Sequence, residues 1–552
     1  MALFCENCGN PLSKNSNYCE NCGCLIERNN EKMIEKCKEP ISVKTHDNLI
    51  NELCFLFANN DWDEKWRRVC ERKERGQLGI LLTNTTNCPK EQLSNFYCKL
   101  EEYILTRTYR NAYYYVLDMN TQRVKKSFSS AQHSQLDFVI STLQSVCRVG
   151  TPQYLMVVGD CSTIASARWK NPMREHNDKE DEYVDSDLPY ATLDLHSPFE
   201  KISPFCLSVG RIPSLPQSGF EEAIQYMEHS QHFAEQYTCT NAFVMAAREW
   251  EKVSRTSFEH LTPDFYTCPS YSFVPESHMQ ILDNNEPYNL LCFNLHGSNN
   301  TDYWYCGGEN GVQAFDTCAY APQSTPTNER FGYILASEAC YGAKPMIKAQ
   351  QSILMTAIQN RCLGFVGSSQ IAYGMTDRSI LLGDSLCLAD IVVSHFSKYV
   401  AQGYREGDSF IAAMVDMLSS NDGLVRDEHR KTLATFALYG DPSVALLQGT
   451  SNAKNYVQME QKDGLGLHIK MPDIKGAIQR QLIQVSERLA QVVDDYVRSY
   501  YTWFSDVTPT YYSFHDYNGY KASYGKTTND RTDILNVYFD INGNIDQVYI
   551  SK

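Results

Sequence analysis

The residues best suited to covalent chemistry are a histidine and a cysteine that each follow an apolar run. Residues 288–297 read YNLLCFNLHG and end in His296 and Gly297, and residues 331–342 read FGYILASEACYG, with Cys340 near their end. A cysteine needs an adjacent base to act as a nucleophile, and histidine commonly provides it. The two phrases therefore predict Cys340 as a nucleophile and His296 as its proton carrier.

Peptide-bond hydrolysis is the reaction that this pair would support. Cys340 would attack the carbonyl carbon to form an acyl-enzyme, while His296 would deliver a proton to the leaving amine. The N–H groups of Gly297 and of Cys340 itself would bind the oxyanion, because glycine has no Cβ to hinder a close approach. With 21 cysteines and 13 histidines in the chain, chance alone will place some such pairs at strand ends.

Apolar runs alternate with helical patterns along the middle of the chain, and they would position these two residues. Further strand candidates lie at residues 78–83, 112–117, 154–159, 207–213, 240–247 and 363–367. Helical patterns lie at residues 90–106, 134–147, 219–232, 345–359, 384–402 and 407–420. Such alternation predicts a mostly parallel α/β sheet with flanking helices. Functional groups gather at the carboxyl ends of such strands, where His296 and Cys340 lie.

The last hundred residues have a different pattern. Residues 473–503 form one long helical pattern, and aromatic strands and a hairpin with an Asn542-Gly543 turn follow. We therefore predict a small, separate α+β domain at residues 451–552. The complete domain prediction is a zinc ribbon at 1–28, a linker and helical segment at 29–75, a peptidase domain at 76–450 and this accessory domain.

Two CENCG phrases near the start of the chain predict a metal site. They place Cys5 and Cys8 in one CxxC pair and Cys19 and Cys22 in another. Four thiolates at this spacing are typical of a structural zinc site, and a segment so short and polar would need the ion to fold. The segment resembles the zinc ribbons at the N-termini of many bacterial and archaeal proteins. We expect structural zinc, with a role in docking or sensing.

An acidic run at residues 175–187 (EHNDKEDEYVDSD) leaves two interpretations open. Seven of its thirteen residues are aspartate or glutamate. A solvated loop is the simpler interpretation. A calcium-binding loop is the alternative, because clustered carboxylates suit a hard cation.

Charge and composition narrow the classes of partner. The formal net charge of −16 argues against a broad nucleic-acid surface. No apolar run reaches the ~20 residues that a membrane-spanning helix needs. The odd number of cysteines, several of them inside apolar runs, predicts reduced core thiols rather than disulfides. The first residues also contain no apolar leader, so we expect a cytoplasmic protein.

Seven phrases occur in an order that resembles the gingipain-type cysteine peptidases (family C25, clan CD, caspase-like fold). They are YLMVVGD, SDLPYA, VGRIP, NLHGS, ASEACYG, GFVGSSQIAYG and FALYGDPS, spread over about residues 76–450. The Ala339-Cys340-x-Gly342 core is also close to the caspase pattern, although Glu338 and Tyr341 depart from it. The resemblance implies a caspase-like sheet, with Cys340 as nucleophile and His296 as the catalytic histidine.

The resemblance also implies residues that support catalysis and select the substrate. An acidic residue often supports the histidine in this family, and Glu249 is the comparable position, although a simple surface glutamate is an equal alternative. Relatives often cleave after arginine or lysine, using a pocket carboxylate for which Glu259 and Asp264 are candidates. Residues 368–373 resemble the pocket wall, so that Ser369 would line it and Tyr373 would stack along a long P1 side chain.

We therefore expect a cysteine endopeptidase that acts on protein or peptide substrates. A zinc ribbon and an accessory domain suggest a regulatory partner and an intracellular role in regulation, defence or cell death. The alternative is a catalytically silent caspase-like scaffold whose zinc ribbon binds protein or nucleic acid.

Overall fold

In the described part of the chain, sixteen strands make two large sheets, and their bounds follow in chain order. They are β1 (Gln77–Thr83), β2 (Ala112–Asp118), β3 (Tyr154–Val158), β4 (Ser208–Ile212), β5 (Ala242–Ala247), β6 (Asp264–Cys268), β7 (Leu290–Asn294), β8 (Tyr333–Ser337), β9 (Cys362–Ser368), β10 (Tyr373–Gly374), β11 (Phe436–Gly440), β12 (Arg480–Leu482), β13 (Thr510–Phe514), β14 (Gly519–Thr527), β15 (Thr532–Asp540) and β16 (Ile545–Ser551).

The larger sheet has ten strands in the order β6-β5-β7-β8-β9-β11-β4-β3-β1-β2. Neighbouring strands run parallel, except that β9 and β11 run antiparallel. Strands β3, β5, β7, β8 and β9 are buried at every residue, which explains their nearly continuous apolar sequences. The predicted mostly parallel α/β sheet is confirmed.

Twelve α-helices accompany the sheets in the part of the chain that the structure describes. They are α1 (Trp62–Glu71), α2 (Lys90–Tyr109), α3 (Gln135–Val149), α4 (Leu188–Thr192), α5 (Glu221–Phe233), α6 (Glu251–Phe258), α7 (Ile353–Gln359), α8 (Asp377–Leu381), α9 (Leu388–Ala401), α10 (Glu406–Ser419), α11 (Asp427–Thr435) and α12 (Glu487–Tyr500). Helix α9 packs against β7 and β8, the two strands that precede His296 and Cys340. None of these described helices is long and apolar enough to cross a lipid bilayer.

This computed structural model describes residues 3–4, 11–12, 53, 56–72, 77–120, 135–215, 218–268, 288–306, 318–327, 331–347, 350–381, 383–420, 423–448, 459–462, 466–472, 474, 480–514, 517–527 and 532–552. Residues 1–55 and 56–552 form two compact units. In the first unit, Leu3–Phe4 pairs antiparallel with Pro11–Leu12. The predicted zinc ligands Cys5, Cys8, Cys19 and Cys22 lie outside the described residues, so the zinc ribbon stays a prediction.

The smaller sheet has six strands in the order β10-β16-β15-β14-β13-β12. Its core is formed with α12, whose Val493 and Val497 are buried against strand residues such as Val537 and Phe539. Strand β10 belongs to the segment that follows β9, so this sheet continues into the region of the larger one. The predicted separate domain at residues 451–552 stays a prediction.

Two predicted helices are shorter than their sequence patterns. The pattern at residues 345–359 becomes helix only in α7, which Ser352 caps by accepting a hydrogen bond from the Met355 N–H at 3.4 Å. The pattern at residues 473–503 becomes α12, and Ser486 caps it in the same way. In both cases a serine cap, rather than apolar periodicity, sets the first residue.

Candidate active site

His296 lies just beyond the carboxyl end of β7. Its backbone forms two hydrogen bonds of 3.0 Å with the backbone of Tyr305, which fixes the chain after the strand. The imidazole packs against the ring of Trp250, with 4.2 Å between the centroids. Its Nε2 lies 2.7 Å from Oε1 of Glu249, whose side chain is 34% exposed. The predicted pairing of Glu249 with His296 is thus present in the geometry.

Cys340 lies in a tight turn after β8. The Gly342 N–H donates to the Ala339 carbonyl at 3.0 Å, and Tyr341 has a φ of 56° in the left-handed region. A residue with a Cβ is disfavoured there by roughly 1–2 kcal/mol. The surrounding structure must therefore hold Tyr341 in place, and Cys340 with it.

The acidic run supplies that support. The Tyr341 hydroxyl donates to Asp181 at 2.9 Å and to Glu180 at 3.1 Å. Asp178 and Asp181 are buried, and the Lys431 ammonium contacts both carboxylates. The solvated-loop interpretation is wrong for these residues, since their charges neutralise a buried lysine and brace the turn that carries Cys340.

Among the described residues, no group of three or more His, Cys, Asp or Glu side chains has an arrangement that could hold a metal ion. The Lys431 ammonium already lies between two carboxylates of the acidic run. Calcium binding by this run stays a prediction.

The two functional side chains meet in one small cavity. Strands β7 and β8 are parallel neighbours, so the residues that follow their carboxyl ends lie at the same edge of the sheet. His296, Gly297 and Cys340 line the same cavity. A Cβ added to Gly297 would lie 1.9 Å from the Cys340 carbonyl oxygen, so only glycine allows this approach. The structure thus brings together the residues predicted for nucleophile, proton carrier and oxyanion hole.

A peptide segment of the protein itself forms another wall of this cavity, through Ser551 and Lys552. Strand β16 pairs antiparallel with β10, with Ser551 opposite Tyr373 and Ile550 opposite Gly374. The next residue, Lys552, continues the pairing, because its N–H donates to the Ala372 carbonyl at 3.0 Å. The Lys552 carbonyl oxygen accepts a hydrogen bond of 3.1 Å from the Cys340 N–H. This carbonyl group therefore lies at the predicted nucleophile.

The Lys552 side chain enters a closed pocket, which we call the lysine pocket and define by Trp250, Glu338, Gly374 and Asp390. The ammonium lies 3.2 Å from Glu338 Oε2 and 3.1 Å from Asp390 Oδ1, and all three side chains are fully buried. It also lies 4.4 Å from the centroid of the Trp250 ring. A Cβ on Gly374 would lie 2.0 Å from the lysine Cε, so the pocket wall must be glycine.

Burial sets the protonation of this site. It raises the pKa of Glu338 well above its ordinary range, the nearby Asp390 adds to the effect, and Lys552 only partly opposes it. Burial acts to lower the pKa of Lys552, but Asp390 and Glu338 outweigh it and raise that pKa. Burial also raises the pKa of the Cys340 thiol to about 12. The thiol is therefore neutral while the segment is in place.

The predicted pocket residues divide into two groups. Tyr373 contributes its backbone to the pairing with β16, while its buried hydroxyl donates to Asp178 at 3.1 Å. Ser369 bonds to the Thr435 carbonyl through its N–H at 3.0 Å and through its hydroxyl at 3.3 Å. The side chains therefore serve the structure, and neither stacks along the lysine.

Glu259 and Asp264 lie away from the lysine pocket. Asp264 begins β6 opposite Phe243, at the amino end of the parallel strands, whereas His296 and Cys340 follow their carboxyl ends. Its carboxylate accepts a hydrogen bond of 2.6 Å from the Tyr288 hydroxyl. Glu259 lies just before β6 in a short 3-10 helix and is exposed. The carboxylates near the ammonium are instead Glu338 and Asp390, which the sequence did not identify as pocket residues.

One pair of cysteines departs from the expectation of reduced thiols. Cys268, at the end of β6, and Cys306 form a disulfide, with 6.1 Å between their Cα atoms. Cys306 directly follows Tyr305, which holds the His296 backbone. The crosslink thus ties the His296 loop to the edge strand of the large sheet, while Cys340 is not disulfide-bonded.

Comparisons with known proteins identify the kind of enzyme. Among solved structures, the Saccharomyces cerevisiae separase–securin complex aligns over 58% of this chain and 17% of the other, with 11% identity and a TM-score of 0.28. No curated protein matches the chain. The model of peptidase family C25 matches residues 94–447, which is more than half of the chain and includes both His296 and Cys340. The predicted gingipain-type kinship is confirmed: the chain belongs to peptidase family C25, and it is a cysteine-type peptidase.

Proposed function

We propose that the protein is an endopeptidase that cleaves after lysine, with Cys340 as nucleophile and His296 as proton carrier. The observation that supports this most is the position of Lys552. Its carbonyl oxygen accepts a hydrogen bond from the Cys340 N–H, and its ammonium pairs with Glu338 and Asp390. A P1 lysine of a substrate would present its scissile carbonyl and its charge in the same way.

The reaction begins with transfer of the Cys340 proton, because burial keeps the thiol neutral. His296 accepts this proton as the sulfur attacks the carbonyl carbon, and it then gives a proton to the leaving amine. The Cys340 N–H stabilises the oxyanion, and the neighbouring Gly297 N–H is the proposed second donor. Water then hydrolyses the thioester, with His296 accepting its proton.

Glu249 and Trp250 position the histidine. A carboxylate at 2.7 Å from Nε2 orients the imidazole and stabilises its cationic form. The ring of Trp250 contacts the imidazole on one side and the lysine ammonium on another. Binding of the P1 side chain therefore also orders the residue that packs on His296.

Selection of lysine follows from the electrostatics of the pocket. A buried ammonium needs a paired charge, and uncharged side chains would leave the Asp390 carboxylate without its cation. Gly374 leaves just enough room for the lysine stem. We also propose, from the accessory segments alone, a regulatory or defence role, with zinc held by Cys5, Cys8, Cys19 and Cys22.

An activity-based probe tests the catalytic proposal. A Lys552→Met variant no longer places its own lysine in the lysine pocket. It is treated with a peptidyl lysyl acyloxymethyl ketone and analysed by intact mass. One adduct on Cys340 is expected, together with faster turnover of P1-lysine peptides than of P1-norleucine peptides. Adding Cys340→Ala should abolish both signals. Labelling that persists without Cys340, or equal turnover of the two peptides, would contradict the proposal, and complete silence would favour the inactive scaffold.

A further inference from the structure

Strand β16 joins the C-terminal sheet to the cleft beside Cys340, in which a substrate would bind. It lies between β15 and β10, so one side is paired within the C-terminal sheet and the other with the segment beside Cys340. Addition of a strand to an exposed edge is a general way in which proteins bind extended peptides. The strand thus has the geometry of a bound peptide while it remains part of its own domain.

We propose that residues 550–552 are an intramolecular inhibitor that occupies the cleft as a substrate would, with Lys552 in the P1 position. The inference rests on the proposed function, which makes the lysine pocket the P1 site. Ile550 and Ser551 then correspond to P3 and P2, and they pair with Gly374 and Tyr373. A substrate peptide needs the same backbone partners and the same pocket, so it cannot bind until these residues leave.

The inhibitor segment is held from its other side. The Ser551 hydroxyl accepts a hydrogen bond of 3.0 Å from the Ile534 N–H, in β15. Further back, Arg426 contacts Gln547 and donates to the Tyr549 hydroxyl at 3.0 Å. These contacts fix the direction in which residues 550–552 enter the cleft. Little entropy is therefore lost when the segment binds, which favours it over a free peptide.

The C-terminal sheet is also anchored to the helix that precedes β11. Glu428 of α11 is fully buried and accepts hydrogen bonds from Lys521, Asn536 and Tyr538 at 2.8–2.9 Å. Breaking such a buried ion pair by removing one partner costs about 3–5 kcal/mol. These contacts hold the sheet through β14 and β15, whereas residues 550–552 are held by the pairing with β10, by the Lys552 hydrogen bonds to Ala372 and Cys340 and by the lysine pocket. Loss of the second set of contacts would open the cleft while the Glu428 contacts still hold the rest of the sheet.

The occupied state also protects the nucleophile. Cys340 is 4% exposed, and it lines the cavity together with Ser551 and Lys552. A buried, neutral thiol reacts slowly with electrophiles, because the thiolate is the nucleophile. Release of Lys552 would expose the sulfur beside His296. The rate at which a small alkylating reagent reaches Cys340 therefore reports on the cleft without any need for catalysis.

The test compares the full-length wild type with Lys552→Ala and with Lys552→Met, which keeps the volume of the side chain over Trp250. Effective concentrations of tethered segments reach the millimolar range, whereas KM values lie between about 1 μM and 1 mM, so release should raise turnover of P1-lysine peptides roughly two- to a thousandfold. Alkylation of Cys340 by iodoacetamide should accelerate in parallel. Lys99→Ala is the matched control, since Lys99 of α2 pairs with Glu102 and Glu228 and does not line the cavity that contains Cys340.

An inhibition experiment separates this inference from the proposed function. A synthetic IDQVYISK peptide should inhibit Lys552→Met, whereas IDQVYISE should not. Equal alkylation and equal turnover in wild type and both Lys552 variants would overturn the inhibitor, even if the enzyme cleaves after lysine. Faster alkylation without any turnover would instead show that residues 550–552 cover Cys340 in the wild type, and it would contradict the proposed peptidase activity. If either variant melts early, alkylation of the other decides, because Cys340 must become accessible while the far-ultraviolet circular dichroism spectrum stays that of the wild type.

Discussion

Asp390→Asn and Glu338→Gln should differ sharply, although each removes a carboxylate from the lysine pocket. Burial and the nearby Asp390 raise the pKa of Glu338 well above its ordinary range, which favours its protonated form. Asp390 then carries the negative charge that balances a P1 lysine. The Met375 N–H donates to its second oxygen at 2.7 Å, which fixes the carboxylate toward the ammonium.

The expected magnitudes follow from this division. Asp390→Asn leaves a buried ammonium without its charged partner, which costs about 3–5 kcal/mol, or roughly a hundred- to several-thousandfold in affinity. Glu338 can offset part of this loss by releasing its proton, so we expect the lower end. Glu338→Gln replaces a neutral carboxyl by a neutral amide and alters one hydrogen bond, worth about 0.5–1.5 kcal/mol, or at most roughly tenfold.

The assay is the ratio of kcat/KM for a P1-lysine peptide to that for its P1-norleucine analogue, measured with Lys552→Met in every variant. Asp390→Asn should bring the ratio down by about two orders of magnitude, and Glu338→Gln by at most about one. The norleucine rate serves as an internal control for folding. A larger loss in Glu338→Gln than in Asp390→Asn would refute the assigned protonation, and an unchanged ratio in both would refute the pocket.

Three further changes test the parts around the pocket. Glu249→Gln should lower kcat roughly ten- to a hundredfold with little change in KM, because it only orients His296 and acid–base catalysis contributes about 10²–10⁴ in total; unchanged kcat would make it a surface residue. Gly374→Ala should raise KM for P1-lysine peptides roughly tenfold or more while P1-alanine peptides are still cleaved. If KM for P1-lysine peptides is the same with and without this substitution, Gly374 does not limit the room for the lysine side chain. Lys431→Met should lower the melting temperature at pH 7. Because burial raises the pKa of Asp178, an unpaired carboxylate destabilises the fold above that pKa, and part of the loss should be recovered at pH 5; equal losses at both pH values would contradict the ion pair.

Local sequence suggested the two reacting groups, and the order of the seven phrases carried their assignment. Apolar runs that end in His296 and Cys340 become fully buried neighbouring strands, because continuous apolar sequence suits a sheet covered on both faces. Glu249 lies two residues beyond another such run, β5, and reaches His296. In each case the side chain follows a strand end, but the role of Glu249 came from the family resemblance and not from its local phrase.

The pocket could not be predicted in this way. Asp390 lies in an apolar helix and Lys552 more than 200 residues after Cys340, and no periodicity relates them. Glu338 was visible as a departure from the caspase pattern, but a single carboxylate in a strand phrase does not reveal its partner. Sequence could have raised Asp390 as a candidate on one ground only, since a lone carboxylate in the run LADIVV must find a buried cation.

The lysine pocket would bind both the P1 lysine of a substrate and Lys552 of the inhibitor segment, so one substitution in the pocket should affect two turnover rates differently. In the chain with Lys552 intact, Asp390→Asn weakens the hold on substrate lysine and on the inhibitor lysine together. Peptides with P1 norleucine do not need the charge, so their turnover should rise as the cleft opens, while turnover of P1-lysine peptides stays low. The two rates, compared with wild type, should therefore change in different ways in a single variant. A parallel fall of both would mean that Asp390 supports the fold rather than the pocket, and a parallel rise would mean that it holds only the inhibitor.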